Sequence, residues 1–436
     1  MNLHFVTALS GERSIHLFLK IILPNLLTPG NLLAFAGAKN VSYKLYSAPE
    51  NLVDITSSQI FQELGKIIPT SAKAPMSGSP EDFVDRCHEE AINEAREASA
   101  ALIFLFADTI WADGALKKLF DHCLAGARSV AMAVPDLDEK TFVPAFTMRF
   151  TRSEGPVPAS GRELARLALA HLHPITKSSI VSDGGHISEL TDNLYWRVGA
   201  EGLIARCLRR QAVMLRPNAL SDTPDNCGER IVTDTDEIAA FRIAQSDKPP
   251  RKLLRRKFSP LRLAEHLHTS EDANIGATLG TAIRIHTDDI SGSWLAVEKL
   301  SDRSVSKALS VARIMDEFPK PMDHVKRVAV FGSGAGGLAA TRLAGRCGWE
   351  VSHYIDNNPH MWGKHIDGRS VKGPESLNNQ DYELIVVSSE PGKEAIFEQL
   401  TDMGLKYRDD FIYFHDTVCV NGFEIFIDCL SDSYYE

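Results

Sequence analysis

Three glycines and one acid carry the most readable chemistry in the chain. Gly332, Gly334 and Gly337 follow the apolar run Val328 to Phe331 in the spacing G-x-G-x-x-G. At such a spacing the first glycine lets the chain turn sharply. The second removes a Cβ so that a phosphate can approach the backbone, and the third lets a helix pack close to a strand. The segment behind them reads as that helix, with Leu338, Thr341, Leu343 and Ala344 among small residues. Its start would offer free N–H groups and the positive end of its dipole to an anion. A second apolar run, Val351 to Ile355, ends on Asp356, where an acid can receive a ribose hydroxyl. Together these residues could hold NAD(P) or another nucleotide.

Strand, helix, strand and terminal acid predict a Rossmann-like parallel-sheet domain over residues 326–436. The run from Ile355 to Lys364, the run from Val371 to Leu377 and the strand-like Leu384 to Ser389 resemble the small Rossmann-like modules found beside bacterial sugar-transfer enzymes. A ligand-free regulatory or interaction domain of the same shape stays open. S-adenosylmethionine enzymes usually place an acid just before the first glycine, where Val330 and Phe331 stand here. An NAD-dependent sugar-modifying oxidoreductase is disfavoured for another reason. Tyr382, Lys393, Tyr407 and Tyr413 make no Tyr-x-x-x-Lys pair.

Two acids in the first half of the chain could also do chemistry. Asp108 ends the wholly apolar run Ala101 to Phe106, which reads as a central strand covered on both faces. An acid at the carboxyl end of such a strand faces the crevice where α/β sheets bind ligands. It could hold a divalent cation, Mg or Mn, against phosphates, or bind a sugar hydroxyl. The plainer reading is a helix cap, and Asp113 fits that role before a helix over Ala115 to Ala125. Glu201 follows Trp196 in a segment read as a helix over Leu194 to Arg210. It could serve as a base toward a hydroxyl, with Trp196 as a flat apolar platform, or be a first-turn Glu favoured by the helix dipole. His171, His173 and His186 have no recognised metal spacing and are read as packing or acceptor contacts. The Ser178-Ser179 and Ser388-Ser389 pairs lack a G-x-S-x-G elbow, which argues against a serine hydrolase.

These groups must be positioned by alternating strands and helices, the pattern of an α/β sheet. Strands are expected at Leu3 to Leu9, Tyr43 to Tyr46, Ser129 to Val134 and Gln211 to Arg216. Helices are expected over Ser14 to Leu27, Thr56 to Lys66, Pro80 to Ser99 and Ser160 to His171. Residues 72–80 and 222–236 read as loops. The expected division is a sheet domain over 1–250, a mainly helical connector over 251–325 and the Rossmann-like domain over 326–436.

Composition bounds the function. The chain has 436 residues, 44% hydrophobic and 24% charged, with a net charge of −10, which argues against nucleic acid as the partner. Seven cysteines are scattered with no C-x-x-C pair, so a reducing compartment fits better than a disulfide framework. The N-terminus has no basic signal-peptide region, and the apolar stretch Ile15 to Leu27 is broken by Lys20 and Pro24. A cytoplasmic protein with no transmembrane span is expected. The basic cluster Arg251 to Lys257 reads as a solvated linker, with peripheral contact to acidic lipid as the alternative.

The first half also resembles the GT-A class of nucleotide-sugar glycosyltransferases, over about residues 1–220. Leu3 to Arg13 is similar to the first strand and nucleotide-facing loop of that family. The helix bearing His88, Asn93 and Arg96 is similar to the element before the metal-binding acid. Tyr195 to Glu201 resembles the region that houses the acceptor base. The family's Asp-x-Asp reads Asp108-Thr109-Ile110 here, and its Glu-Asp pair reads Glu201-Gly202. The resemblance implies transfer of a sugar from a nucleotide-sugar donor to a glycan or lipid-linked acceptor hydroxyl, in bacterial surface glycan synthesis. It implies Thr7, Arg13, His88, Asn93 and Trp196 as substrate contacts, Asp108 at the diphosphate or its metal, and Glu201 as the base. A non-catalytic nucleotide-sensing or scaffold protein is the alternative.

Overall fold

The computed structural model describes residues 1–75, 82–152, 155–156, 158–182, 185–209, 211–217, 228–245, 256–258, 263–264, 266–267, 275–317, 325–346, 348–379, 381–389 and 392–414. Pro319 and Pro321, which the sequence offers as the close of the connector, most of the 251–257 basic cluster, the end of the 72–80 loop and the start of the 222–236 loop lie outside these residues. The chain is α/β throughout and divides into two compact units, residues 1–258 with 272–305, and residues 259–271 with 306–436.

The first unit is built on a seven-stranded sheet. Its order is Glu229–Ile231, Ser129–Ala131, Ala212–Leu215, Ala100–Phe104, Asn2–Leu9, Val41–Ser47 and Thr70–Lys73. Ala212–Leu215 runs antiparallel to both its neighbours, and every other pair is parallel. Ala100–Phe104 is buried along its whole length, which is why it reads as an unbroken apolar run. One face packs Phe5, Leu45, Ile103 and Val130 into the main core. The other sets Val6, Tyr46 and Leu102 against Cys87, Ala91 and Ala95 of the helix Phe83–Glu97.

The helix expected over Ser14 to Leu27 is interrupted. It runs as Glu12–Leu17, a π turn Phe18–Ile22, and Leu23–Leu26. Pro24 supplies the physical cause, because it lacks an N–H and its ring crowds the carbonyl four residues back. The segment expected as a helix over Leu194 to Arg210 is a β-hairpin instead, Asn193–Val198 against Gly202–Cys207. A third antiparallel strand, Ile283–His286, joins it. The connector therefore is not a separate helical layer, since it contributes this strand and part of the helix Gly292–Glu317 to the first unit. Arg206 secures the join. Fully buried, it donates to the carbonyl of Gly280 at 2.7 Å and to Ser301 Oγ at 2.8 Å, and pairs with Asp302.

In the second unit the strands lie in the order Arg369–Lys372, Glu350–Ile355, Arg327–Phe331, Leu384–Val387 and Phe411–Tyr413, all parallel. In chain order that is 3-2-1-4-5, so the connection reverses beside Arg327–Phe331, the place where open α/β sheets bind ligands. An antiparallel edge strand, His365–Ile366, closes one side.

Candidate functional site

In the first unit, register brings the charged groups together. A small sheet places Ala240–Ala244 between Thr109–Trp111 and Asp136–Asp138. Arg242 is opposite Thr109 on one side and Asp136 on the other. Its guanidinium grips the Asp136 carboxylate with Nε and Nη2, the latter at 3.0 Å. Asp108 stands at the neighbouring turn, its carbonyl accepting from the Ile243 N–H at 2.7 Å. Burial pushes the Asp108 carboxyl above its usual range. Arg242 and Arg13 oppose that rise, and Asp136 adds to it. Arg13 pairs with Glu139 at 2.5 Å and reaches the Ile243 carbonyl at 3.3 Å.

The strand end and helix start that follow Asp108 are clamped by two asparagines that show no local sequence signal. Asn25 accepts from the Trp111 N–H at 3.0 Å and donates to the Trp111 carbonyl at 2.9 Å, as a strand neighbour would. Asn31 does the same for Leu116 and Ala112, at 3.1 Å each. Both asparagines are buried. Asp113 is not a helix cap. Its Oδ1 accepts from the Gly30 N–H at 2.7 Å, and Gly114 occupies the cap position.

A cleft of about 240 Å³ opens beside the Asp136–Arg242 pair, lined also by Thr176, Asp192, Asn193, Tyr195 and Gln211. The Oδ1 of Asn193, one of these residues, is sealed from solvent with no hydrogen-bond partner. Such a group is costly unless something satisfies it. The cleft thus has one arginine and two acids, Asp136 and Asp192, a lining suited to a polar ligand.

Other expected contacts fall elsewhere. Thr7 is fully buried, bonded to the Tyr43 hydroxyl at 2.6 Å and the Leu105 carbonyl at 2.9 Å, so no hydroxyl is left for a substrate. His88 lies edge-on to Phe104 at 4.9 Å, and burial holds its pKa below the usual value. Asn93 is exposed and accepts from Arg96 at 2.8 Å. Trp196 is 2% exposed and packs edge-on against Phe258, so it is core and not a stacking platform. His171 meets the Phe142 ring and His173 caps the helix Pro174–Ser178.

Glu201 lies in the hairpin turn. Its carboxylate accepts from Ser291 Oγ at 2.8 Å and Trp294 Nε1 at 2.9 Å, pinning the start of the helix Gly292–Glu317. A Cβ on Gly202 would come within 2.1 Å of the Ile285 carbonyl, so no second acid fits beside Glu201. Asp108 belongs to no group of three metal-ligating side chains among the described residues. Arg13 and Arg242 supply the positive charge around it.

In the second unit, Gly332 has φ +110°, a left-handed turn that favours glycine. A Cβ on Gly337 would lie 2.1 Å from the Gly332 carbonyl, so helix and strand end could not pack. A Cβ on Gly334 would meet nothing within 4 Å, leaving open space over the start of the helix Ala335–Arg346. The Asp356 carboxylate accepts from the backbone N–H of Ser333 at 3.0 Å, from the Ser333 hydroxyl and from the Asn358 N–H at 2.9 Å. Burial opposes its ionisation, yet these bonds hold its pKa below the ordinary range. The loop leaves open space over Gly334, with the Asp356 carboxylate at its rim.

No protein-family model and no curated protein matches the chain. Solved structures similar to it include UDP-D-quinovosamine 4-dehydrogenase from Vibrio fischeri, 21% identical, covering 19% of this chain and 74% of that one at a TM-score of 0.17. A Rex-family repressor, RSP, in complex with beta-NADH is 13% identical over 35% of this chain and 84% of its own, at 0.19. UDP-GlcNAc 2-epimerase from Neisseria meningitidis bound to UDP-GlcNAc is 10% identical over 99% and 100%, at 0.16. Scores this low assign neither family nor activity. No described helix is long and apolar enough to cross a membrane.

Proposed function

We propose that the first unit is a GT-A-like glycosyltransferase domain that binds a nucleotide sugar and passes the sugar to an acceptor hydroxyl. The convergence of Asp108, Arg13, Asp136 and Arg242 at the carboxyl ends of a mainly parallel sheet carries this reading. Arg13 and Arg242 would neutralise the diphosphate, Asp108 would orient the donor, and the cleft beside Tyr195 would take the acceptor. The single antiparallel strand set within the sheet also agrees with a GT-A framework. The second unit would hold a nucleotide on the glycine loop, with phosphates over Gly334 and ribose toward Asp356. It would supply recognition without entering the transfer step.

A non-catalytic, nucleotide-sensing role is the second reading. The engagement of Glu201 by Ser291 and Trp294 favours it, because the acid expected to act as base is committed to structure. Calorimetry of the full-length protein against a panel of nucleotide diphosphates and their sugars tests both. Donor binding that weakens in Arg242→Gln, together with release of nucleoside diphosphate when acceptors are added, supports transfer. Binding without release supports sensing. Affinity indifferent to Arg242→Gln removes the cleft from the argument.

A further inference from the structure

Outside the cleft residues, Asp234, Asp236 and His286 bring one ligand atom each within 4.8 Å of one another. His286 ends the strand Ile283–His286, is 2% exposed, and lies edge-on to Trp294 at 5.8 Å. Its Nδ1 is 2.7 Å from the Asp288 carbonyl, which only accepts, so Nδ1 carries the ring proton. Its Nε2 is 2.7 Å from Oδ1 of Asp234, also an acceptor. A neutral imidazole cannot satisfy both. A positive species must stand at Nε2, either a second proton or a metal ion.

At 2.7 Å the Nε2–Oδ1 contact is itself a direct hydrogen bond, so without an ion Nε2 holds a second proton, and a bound ion would replace that proton and move the two atoms apart. Oδ2 of Asp236 faces the same nitrogen at 3.8 Å, too far for a hydrogen bond but suited to a shared ion. Arg162 grips Asp236 with Nε at 2.9 Å and Nη2 at 2.7 Å, which orients that carboxylate and leaves lone pairs on its other edge. A ligating histidine whose second nitrogen donates to a carbonyl, beside a hydrogen-bonded carboxylate, is the usual outer support of a metal site. Asp234 and Asp236 keep side-chain exposures of 26% and 43%, which leaves room for water as a fourth ligand.

We propose that Asp234, Asp236 and His286 form a mononuclear site for a divalent transition-metal ion, of the zinc class rather than magnesium. One imidazole nitrogen among carboxylate oxygens suits such ions, whereas magnesium prefers oxygen alone. The test uses chelator-stripped full-length protein. Zn²⁺ and Mg²⁺ are titrated by calorimetry, and Co²⁺ is followed by its visible absorption. One Zn²⁺ and one Co²⁺ per chain are expected, with Mg²⁺ much weaker. His286→Gln and, separately, Asp234→Asn/Asp236→Asn should each weaken Zn²⁺ by at least about tenfold. The second variant changes one half-buried and one exposed group almost isosterically, so it answers even if His286→Gln fails to fold. Absence of stoichiometric Zn²⁺ in the wild type overturns the proposal. So does a double variant that binds as the wild type does, since the ion would then sit elsewhere. Nitrogen NMR showing both His286 ring nitrogens protonated in the presence of Zn²⁺ would assign the site to an imidazolium ion pair instead.

Discussion

Adding one methyl group at Gly337 or at Gly334 should have opposite consequences. In Gly337→Ala the new Cβ falls 2.1 Å from the Gly332 carbonyl oxygen, against a shortest tolerable contact of 3.0 Å. The shortfall, about 0.9 Å, is from a Cβ to a backbone oxygen, so no rotamer relieves it. The helix Ala335–Arg346 must lift from the strand end, and overpacking of this kind costs about 1–3 kcal/mol. Alanine returns about 1 kcal/mol of helix propensity over glycine. The net loss is about 0–2 kcal/mol, up to roughly 10 °C for a unit of this size. In Gly334→Ala the Cβ enters open space, so stability should hold within about 0.5 kcal/mol. That space is the approach route for a phosphate, and nucleotide affinity should fall. Hydrogen exchange of peptides from Arg327–Phe331 and Leu384–Val387 reads the local stability, and calorimetry reads binding. A Gly337→Ala protein as protected as the wild type would refute the packing argument. Unaltered nucleotide affinity in Gly334→Ala would refute the phosphate route.

Other consequences follow from burial and charge. Trp196→Ala removes a 2%-exposed side chain and should cost about 3–5 kcal/mol in chemical denaturation, while surviving folded protein keeps its acceptor affinity. Asp108→Asn should raise the melting temperature at neutral pH, because burial lifts the native carboxyl above its unfolded pKa and its ionised form is destabilising. That gain should fade as pH falls through the carboxyl range, and donor affinity should drop even as stability rises. His4 and His353 each have pKa values pressed down from 6.5 to about 4, by burial first and then by Lys44 or Lys372. Their neutral forms stabilise the fold above the unfolded value, and this contribution should be lost as pH falls from 6.5 toward 4. A His4→Gln/His353→Gln variant should show a shallower decline of melting temperature across that window.

Elements whose pattern is local were legible in the chain itself. The run Ala101 to Phe106 announced a covered strand because both its faces are apolar, and the three glycines announced a strand, turn and helix because each answers a steric demand set by its neighbours. Residues 193–207 carry a pattern that fits two periods. Leu194, Trp196, Val198, Leu203, Ile204 and Ala205 suit a buried helix as well as a buried hairpin, and only the pairing of Gly202–Ala205 with Ile283–His286 decides between them. That partner lies about 80 residues away, beyond any local signal. The same holds for charge. Asp108 could be picked out by its place after a strand, but Arg242 reaches it through a sheet register set more than 100 residues later. Thr7 and Trp196 have the right chemistry for substrate contact, and burial, a tertiary property, removes them from it. Residue type and spacing thus determined the α/β plan and the glycine loop, while long-range strand pairing decided which side chains stand together in water and which are sealed in the core.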